Sequence, residues 1–292
     1  MRRAAIRLLE LRQGIPMIRG AAAESGSWNR LQSEFGVTLP VLLFHHVGPL
    51  LPGASPGLTV SPAKFLDIVQ WLISHGYTGI SPSQWLAWLR SGEPLPERPI
   101  LLTFDDALAD LAEHAFPVLQ KHGFSAGVYV VTQQVGGTNE WADIGAGLHR
   151  CLSAAQIRDW SRQGIEFGAH TRTHADLTSL STRRLEEEVG GSRKELEDIL
   201  GQPAPTFAYP FGYLNEAVVD CVRRHFDLAF SCIEGVNTLA TDPHLVQRTM
   251  ALPSDFGLDL ALRTRLGRSP FHTFKAHLRI RSRLRALVGR PS

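Results

Sequence analysis

A chain of 292 residues, 43% of them hydrophobic, is long enough to bury the core of one large α/β domain. Its net charge of +2 and isoelectric point near 8.5 set no strong field, which argues against nucleic acid or a strongly acidic partner. Cys151, Cys221 and Cys232 are an odd set without CxxC spacing, so neither a disulfide framework nor a zinc ribbon is expected, and a reducing compartment fits. The N-terminal arginines Arg2, Arg3 and Arg7 are followed by apolar residues broken up by Glu10, Arg12, Gln13 and Arg19, which leaves no signal-peptide core. No run approaches the roughly 20 apolar residues that cross a bilayer as a helix, so the expectation is a cytoplasmic protein.

The first clear element is Pro40 to His46, a short apolar run that reads as a buried strand ending in two histidines. A glycine- and proline-rich loop from Gly48 to Gly57 follows. Ser61-Pro62 then opens a helix with Phe65, Ile68, Val69 and Leu72 at helical spacing, stopped by Gly76. Ser81-Pro82 opens another through Leu89, and Pro99 to Phe104 forms a second apolar strand ending at Asp105 and Asp106. Beyond it come a helix from about Leu108 to His122, a strand Gly127–Val131, a helix around Ser153 to Arg162, and a strand Ile165–Gly168 that delivers His170. The charged helix Thr182–Leu200, strand Thr206–Tyr209, helix Leu214–His225 and strand Leu228–Ser231 complete the alternation. Strands alternating with amphipathic helices predict a parallel sheet with helices packed outside it, and this many units permits a closed barrel.

His45, Asp105, His170 and Tyr209 each follow the apolar run of a strand, which is the catalytic face of a (β/α) barrel. His170 and His174 have the i, i+4 spacing that brings two imidazoles to one side of a helical turn. In a chain with 12 histidines such a pair is also compatible with two exposed side chains. The aspartate pair strengthens the metal reading, because buried carboxylates need a cation, and two imidazoles plus one carboxylate make an open site for a divalent ion. Asp106 is assigned to the metal and Asp105 to the base that takes a proton from activated water. A helix N-cap is the competing role for either aspartate.

Thr103-Phe-Asp-Asp106, Gly168-Ala-His-Thr-Arg-Thr-His-Ala-Asp-Leu177 and Phe207-Ala-Tyr-Pro-Phe-Gly212 together resemble the polysaccharide deacetylases, the carbohydrate esterases of family 4 that share the NodB-homology domain. The resemblance spans roughly Pro40 to Arg248. It implies a distorted (β/α) TIM-like barrel, a divalent metal on Asp106, His170 and His174, Asp105 as base, and removal of acetyl from an amino sugar. Phe44-His45-His46-Val47 looks like the histidine motif of the branch acting on exopolysaccharide poly-N-acetylglucosamine, which implies that His45 protonates the leaving amine and that His46 points away. The sequence departs from the family in three places. Ala107 replaces the usual glycine after the paired aspartates, Ala208 replaces an arginine that orients the base, and no late leucine-x-histidine motif is found. Arg248 is the candidate replacement for the missing arginine, since a guanidinium beside Asp105 would hold it ionised.

The expected organisation is an N-terminal extension over 1–38, a catalytic domain over 39–265 and a basic tail over 266–292. The tail carries Lys275, Arg279, Arg281, Arg283 and Arg285 among Phe271, Phe274, Leu278 and Ile280, a pattern suited to peripheral contact with the inner surface of an anionic membrane or to a solvated tail. The expected activity is metal-dependent N-deacetylation of an amino-sugar glycan in exopolysaccharide or cell-envelope metabolism. Zinc is the expected ion, with cobalt, nickel or iron accepted by the same ligands. Tyr209, Pro210, Phe211 and Gly212 would line the pocket, with the Tyr209 backbone N–H as an oxyanion donor. The alternatives are hydrolysis of another acyl or non-sugar amide, and a glycan-binding barrel that has lost turnover.

Overall fold

The computed structural model describes residues 37–49, 57–141 and 149–269. The expected N-terminal extension therefore lies outside the described residues apart from 37 and 38, and the basic tail lies outside them beyond Ser269. Among the described residues no helix is long and apolar enough to cross a membrane.

The main sheet is parallel throughout. Strand β1 (Val41–Phe44) is followed by a short β2 (His46–Val47), β3 (Thr59–Val60), β4 (Thr78–Ile80), β5 (Pro99–Phe104), β6 (Ala126–Val130), β7 (Ile165–Ala169), β8 (Thr206–Ala208), β9 (Leu228–Phe230) and β10 (Thr249–Met250). Its order is β10-β1-β5-β6-β7-β8-β9, with β4 paired to the first half of β5 and β6 to the second. One extended run draws the two ends of the sheet together: Val246 bridges to Phe230 of β9, while Thr249 and Met250 pair with Leu42 and Leu43 of β1. The result is the distorted (β/α) barrel expected from the alternation, with the run that carries Arg248 as its closing segment.

Two apolar clusters follow from the two faces of each strand. Leu42, Phe44, Leu102, Phe104 and Val128 point outward onto the helices, and Val41, Leu101, Tyr129, Ala208 and Phe230 point into the barrel. The helices obey their sequence signals. Helix α1 (Pro62–Ser74) is capped by Ser61, which accepts from the Lys64 amide, and it buries Phe65, Ile68, Val69 and Leu72. Capping boxes Ser81/Gln84 and Ser153/Gln156 open α2 (Pro82–Ser91) and the helix Ala154–Ser161.

Five elements differ from the sequence expectations. The helix expected over 108–122 is broken into α3 (Asp110–His114) and α4 (Phe116–Lys121), because Pro117 has no amide to donate into the preceding turn. Strand β4 leaves no sequence signal, because Thr78-Gly79-Ile80 buries one apolar side chain fully and has no usable period. The closing strand β10 is shorter still, and α8 (Gly257–Leu266, after α5 Ala154–Ser161, α6 Thr182–Leu200 and α7 Glu216–His225) is likewise additional to the expected elements. The first strand stops at Phe44 rather than His46; beyond His45, β2 leaves the main sheet and pairs with β3. Adjacent histidines thereby enter different surroundings. Glu186 on α6 ties down α7 through His225 and Arg224, and these partners hold its carboxyl at about 2.

Candidate functional site

His45, Asp105, His170 and Tyr209 are the first residues beyond β1, β5, β7 and β8, so one rim carries them. Asp105 is anchored by its amide to the Phe44 carbonyl (3.0 Å) and is almost fully buried. Arg248 reaches it from the closing segment, donating from Nη1 to Oδ1 at 2.7 Å and from Nη2 to Oδ2 at 2.9 Å. The guanidinium is itself fixed, with Nε donating to the Ser231 carbonyl (2.9 Å) and the Tyr129 and Phe230 rings each 5.9 Å away. Burial opposes ionisation of Asp105, but Arg248 and the nearby His170 outweigh it and bring its pKa down to about 2. An arginine at 248 thus stands against the acid where the family pattern has one at 208.

Two neighbouring aspartates in an ideal strand would point to opposite faces. Here Asp106 (φ 72°) and Ala107 (φ 48°) both adopt the left-handed conformation, and the chain turns sharply just beyond Asp105. Neither aspartate caps a helix, since α3 starts at Asp110 with Ala109 in the capping position. Asp106 Oδ1 is buried without a hydrogen-bond partner, 3.8 Å from His170 Nε2 and 3.5 Å from His174 Nε2. Burial, reinforced by Asp105, pushes the Asp106 carboxyl up to about 8.

The helical turn expected for His170 to His174 is absent. The segment is a loop in which Thr171 (φ 66°) and His174 (φ 60°) are left-handed, and the Thr171 hydroxyl accepts from the His174 amide at 2.9 Å. Backbone reversal, rather than a 3.6-residue period, brings the rings to 4.9 Å between centroids. The His170 Nδ1 sits 2.8 Å from the Ala208 carbonyl, which can only accept, so Nδ1 carries the proton and Nε2 presents its lone pair. Burial lowers both imidazole pKa values, His174 to about 2.

These donors fit a divalent ion. One carboxylate oxygen and two imidazole nitrogens lie within 4.8 Å of one another, the oxygen is orphaned, and three protein ligands leave positions open for water and substrate.

Glu188 of α6, overlooked in the sequence, holds the histidine loop in place. Its Oε2 accepts from the Arg172 and Thr173 amides at 2.9 and 3.0 Å, and its Oε1 accepts from the Thr173 hydroxyl at 2.8 Å. The available signal was a glutamate on the same face as Leu185, Val189, Ser192 and Leu196, where solvation does not account for a charge. Glu188→Ala is expected to weaken zinc binding by at least about ten-fold, as loss of an outer support for a metal ligand does, and titration against a chromophoric chelator measures it.

The walls are aromatic. Trp141, also without a sequence signal, stacks on His174 (5.0 Å, 21°), and Phe211 meets the same ring edge-on (4.5 Å, 78°). Phe211 and Tyr213 leave about half of their surface in solvent, at 51% and 54% exposed. The pocket role expected for Tyr209 is corrected by its contacts. Its side chain is buried in the outer core with the hydroxyl on the His244 carbonyl, and its amide donates to the Phe230 carbonyl (3.2 Å) in the strand ladder. That amide is not free for an oxyanion. Pro210 is buried beneath the rim and Gly212 takes a φ of 71° against the Cys232 side chain. His45 is half-buried with Nδ1 unpartnered, and burial lowers its pKa to about 4, against the opposing pull of Asp105. His46 faces elsewhere, toward Asp110 and His149.

Residues 92–225 match the sequence model of the polysaccharide deacetylase family. YxkH of Bacillus subtilis, which carries a provisional polysaccharide deacetylase name, is 24% identical over 201 residues, covering 69% of this chain and 66% of that protein. The poly-beta-1,6-N-acetyl-D-glucosamine N-deacetylase of Staphylococcus aureus is 24% identical over 177 residues, 57% of this chain and 58% of its own. The chain therefore spans less than two thirds of the length of these curated relatives, 66% of one and 58% of the other. Among solved structures, the Streptococcus pyogenes deacetylase PplD in complex with acetate superposes with a TM-score of 0.69 at 26% identity, covering 78% of this chain and 99% of that one. IcaB from Ammonifex degensii shares the fold, with a TM-score of 0.66 at 23% identity over 80% of this chain and 99% of its own. By this match over residues 92–225 and by the shared fold, the chain is similar to the polysaccharide deacetylases.

Proposed function

We propose that the protein is a metal-dependent N-deacetylase acting on an acetylated amino-sugar glycan in exopolysaccharide or cell-envelope metabolism. The observation that carries the reading is the pairing of a buried, arginine-locked carboxylate, Asp105, with the adjacent donor trio Asp106, His170 and His174. Asp, His and His leave an ion open to substrate, and a separate carboxylate kept ionised can take a proton. The Staphylococcus aureus relative supplies the substrate class by likeness.

Held by Asp106, His170 and His174, a divalent ion would polarise the acetyl carbonyl and acidify a water. Asp105 receives the proton of the attacking water, and Arg248 fixes both oxygens of the acid so that its orientation is maintained through the cycle. His45 is assigned delivery of a proton to the departing nitrogen. Its ring is neutral at pH 7 because burial lowers its pKa to about 4, so the proton it delivers is the one Asp105 has taken from the water, passed on through the ring, which returns Asp105 to its ionised form. The C–N bond breaks, the nitrogen leaves as amine and the acyl group leaves as acetate. Trp141, Phe211 and Tyr213 offer flat apolar faces beside the metal ligands, suited to the C–H face of a pyranose ring.

Acetate release is the test. The zinc-loaded protein is expected to liberate acetate from β-1,6-linked N-acetylglucosamine oligomers and to stop on addition of a chelator. Release from an acetylated lysine peptide but from no glycan would shift the assignment to another amide, and metal binding with no acetate from any substrate would refute hydrolysis.

A further inference from the structure

We infer that Asp110, His46 and His149 form a clamp that positions Asp106, holding shut the left-handed Asp106–Ala107 turn; this rests on Asp106 being a metal ligand. Two consecutive residues with a Cβ at φ 72° and 48° are disfavoured by their own sterics, so the neighbouring chain must hold the turn. That support comes from residues 150–152. The Leu152 amide donates to the Ala107 carbonyl (2.8 Å), the Ala109 amide donates to the Arg150 carbonyl (2.8 Å), and Leu108 bridges antiparallel to Cys151.

His149 secures the head of this supporting segment. Its Nδ1 is 2.9 Å from His46 Nε2, and the two rings meet edge-on at 4.1 Å. Its backbone is paired twice with Asn139, the His149 amide donating to Oδ1 at 2.6 Å and the Asn139 amide donating to the His149 carbonyl at 3.0 Å. His46 is buried, and its other nitrogen lies 3.2 Å from Asp110 Oδ2. Asp110 follows the turn by only a few residues, while the residue before the turn, Asp105, is bonded to Phe44 beside the histidine strand. The strained turn is therefore bonded beside the histidine strand at its entrance, packed against the buried His46 ring at its exit, and flanked by the segment that His149 heads. Gly48 permits the closeness, since a Cβ there would stand 2.8 Å from the His46 ring and 2.9 Å from Asp110 Oδ2.

The clamp offers a physical reason why alanine is tolerated at 107: the conformation that glycine would adopt freely is imposed from outside. None of the three clamp residues is assigned as a ligand or a base, so their effect must pass through Asp106. Zinc affinity, measured by competition with a chromophoric chelator, reads that position without turnover. His46→Ala and His149→Ala are each expected to weaken zinc binding about ten-fold, the range for loss of an outer support of a ligand. Adding Ala107→Gly to either variant should recover at least about three-fold, because glycine relaxes the turn that the clamp no longer holds. Should His46→Ala fail to fold, the less buried His149→Ala carries the test alone. Unchanged affinity in the variants, or a loss that Ala107→Gly does not recover, overturns the clamp while leaving the deacetylase reading intact. Failure of the unmodified protein to bind zinc overturns both.

Discussion

Replacing Arg248 with methionine is expected to destabilise the protein by about 3–5 kcal/mol and to remove its activity, because it leaves the Asp105 carboxylate buried without its counter-ion. Both effects have one origin. The guanidinium occupies both oxygens of Asp105 inside the barrel, where the next recourse for the acid is to take up a proton. With Arg248 in place the Asp105 pKa is about 2, so its contribution to stability is complete above the ordinary carboxyl value of 3.8 and is lost only as pH falls toward 2. Without it, burial drives the pKa upward, and a carboxyl that already holds its proton is too weak a base to take one from water. Arg248→Lys is not a conservative rescue, since an ammonium cannot bond both oxygens in parallel while reaching Ser231. Removing both charges, as in Arg248→Met with Asp105→Asn, should return much of the stability and none of the activity. Urea unfolding of the three variants checks the first part and acetate release the second. An Arg248→Met protein as stable as the unmodified one would show that the pair contributes nothing to the fold.

The sequence indicated where chemistry would concentrate more reliably than how the chain would arrange it. Apolar runs ending at His45, Asp105 and His170 located the rim, because burial dictates the run and nothing in packing demands an acid or imidazole at its end. Arg248 could be nominated only through the missing cation at Ala208; its position depends on how the barrel closes, which pairs Val246 with β9 and Thr249 with β1. HxxxH spacing suggested a helix, yet the loop places both rings together by two left-handed residues and the carboxylate of Glu188. No local pattern encodes that. Tyr209 misled for the opposite reason. It has a rim position, but the side chain turns outward into the core and the amide is used by β9. The clamp residues Asp110, His46 and His149 are separated by about a hundred residues at the widest, so only the tertiary fold assembles them.

Asp105→Asn and Asp106→Asn should both abolish deacetylation, by about 10²–10⁴-fold for the former as loss of a general base predicts, while moving stability and metal binding in opposite ways. The Asp105→Asn change would retain shape but withdraw charge from Arg248, leaving a buried guanidinium facing an amide that donates as well as accepts. That protein is thus expected to unfold at lower urea yet still bind zinc. Asp106 differs because burial and Asp105 raise its pKa to about 8 in the metal-free protein. A carboxyl with a raised folded pKa favours folding less and less as pH climbs from 3.8 to about 8, since the native state must hold a proton that the unfolded chain releases. A neutral amide at position 106 has no such proton to hold, so the metal-free Asp106→Asn protein should exceed the unmodified one in stability, by most above pH 8. Zinc reverses the comparison: it stabilises the unmodified protein by binding the native state and gives the Asp106→Asn variant little. Urea titrations at pH 6 and pH 8.5, with chelator and with zinc, separate the two aspartates without reference to any substrate. Equal loss of zinc in both variants would remove the division between ligand and base, because a residue that serves only as base has no reason to control the affinity.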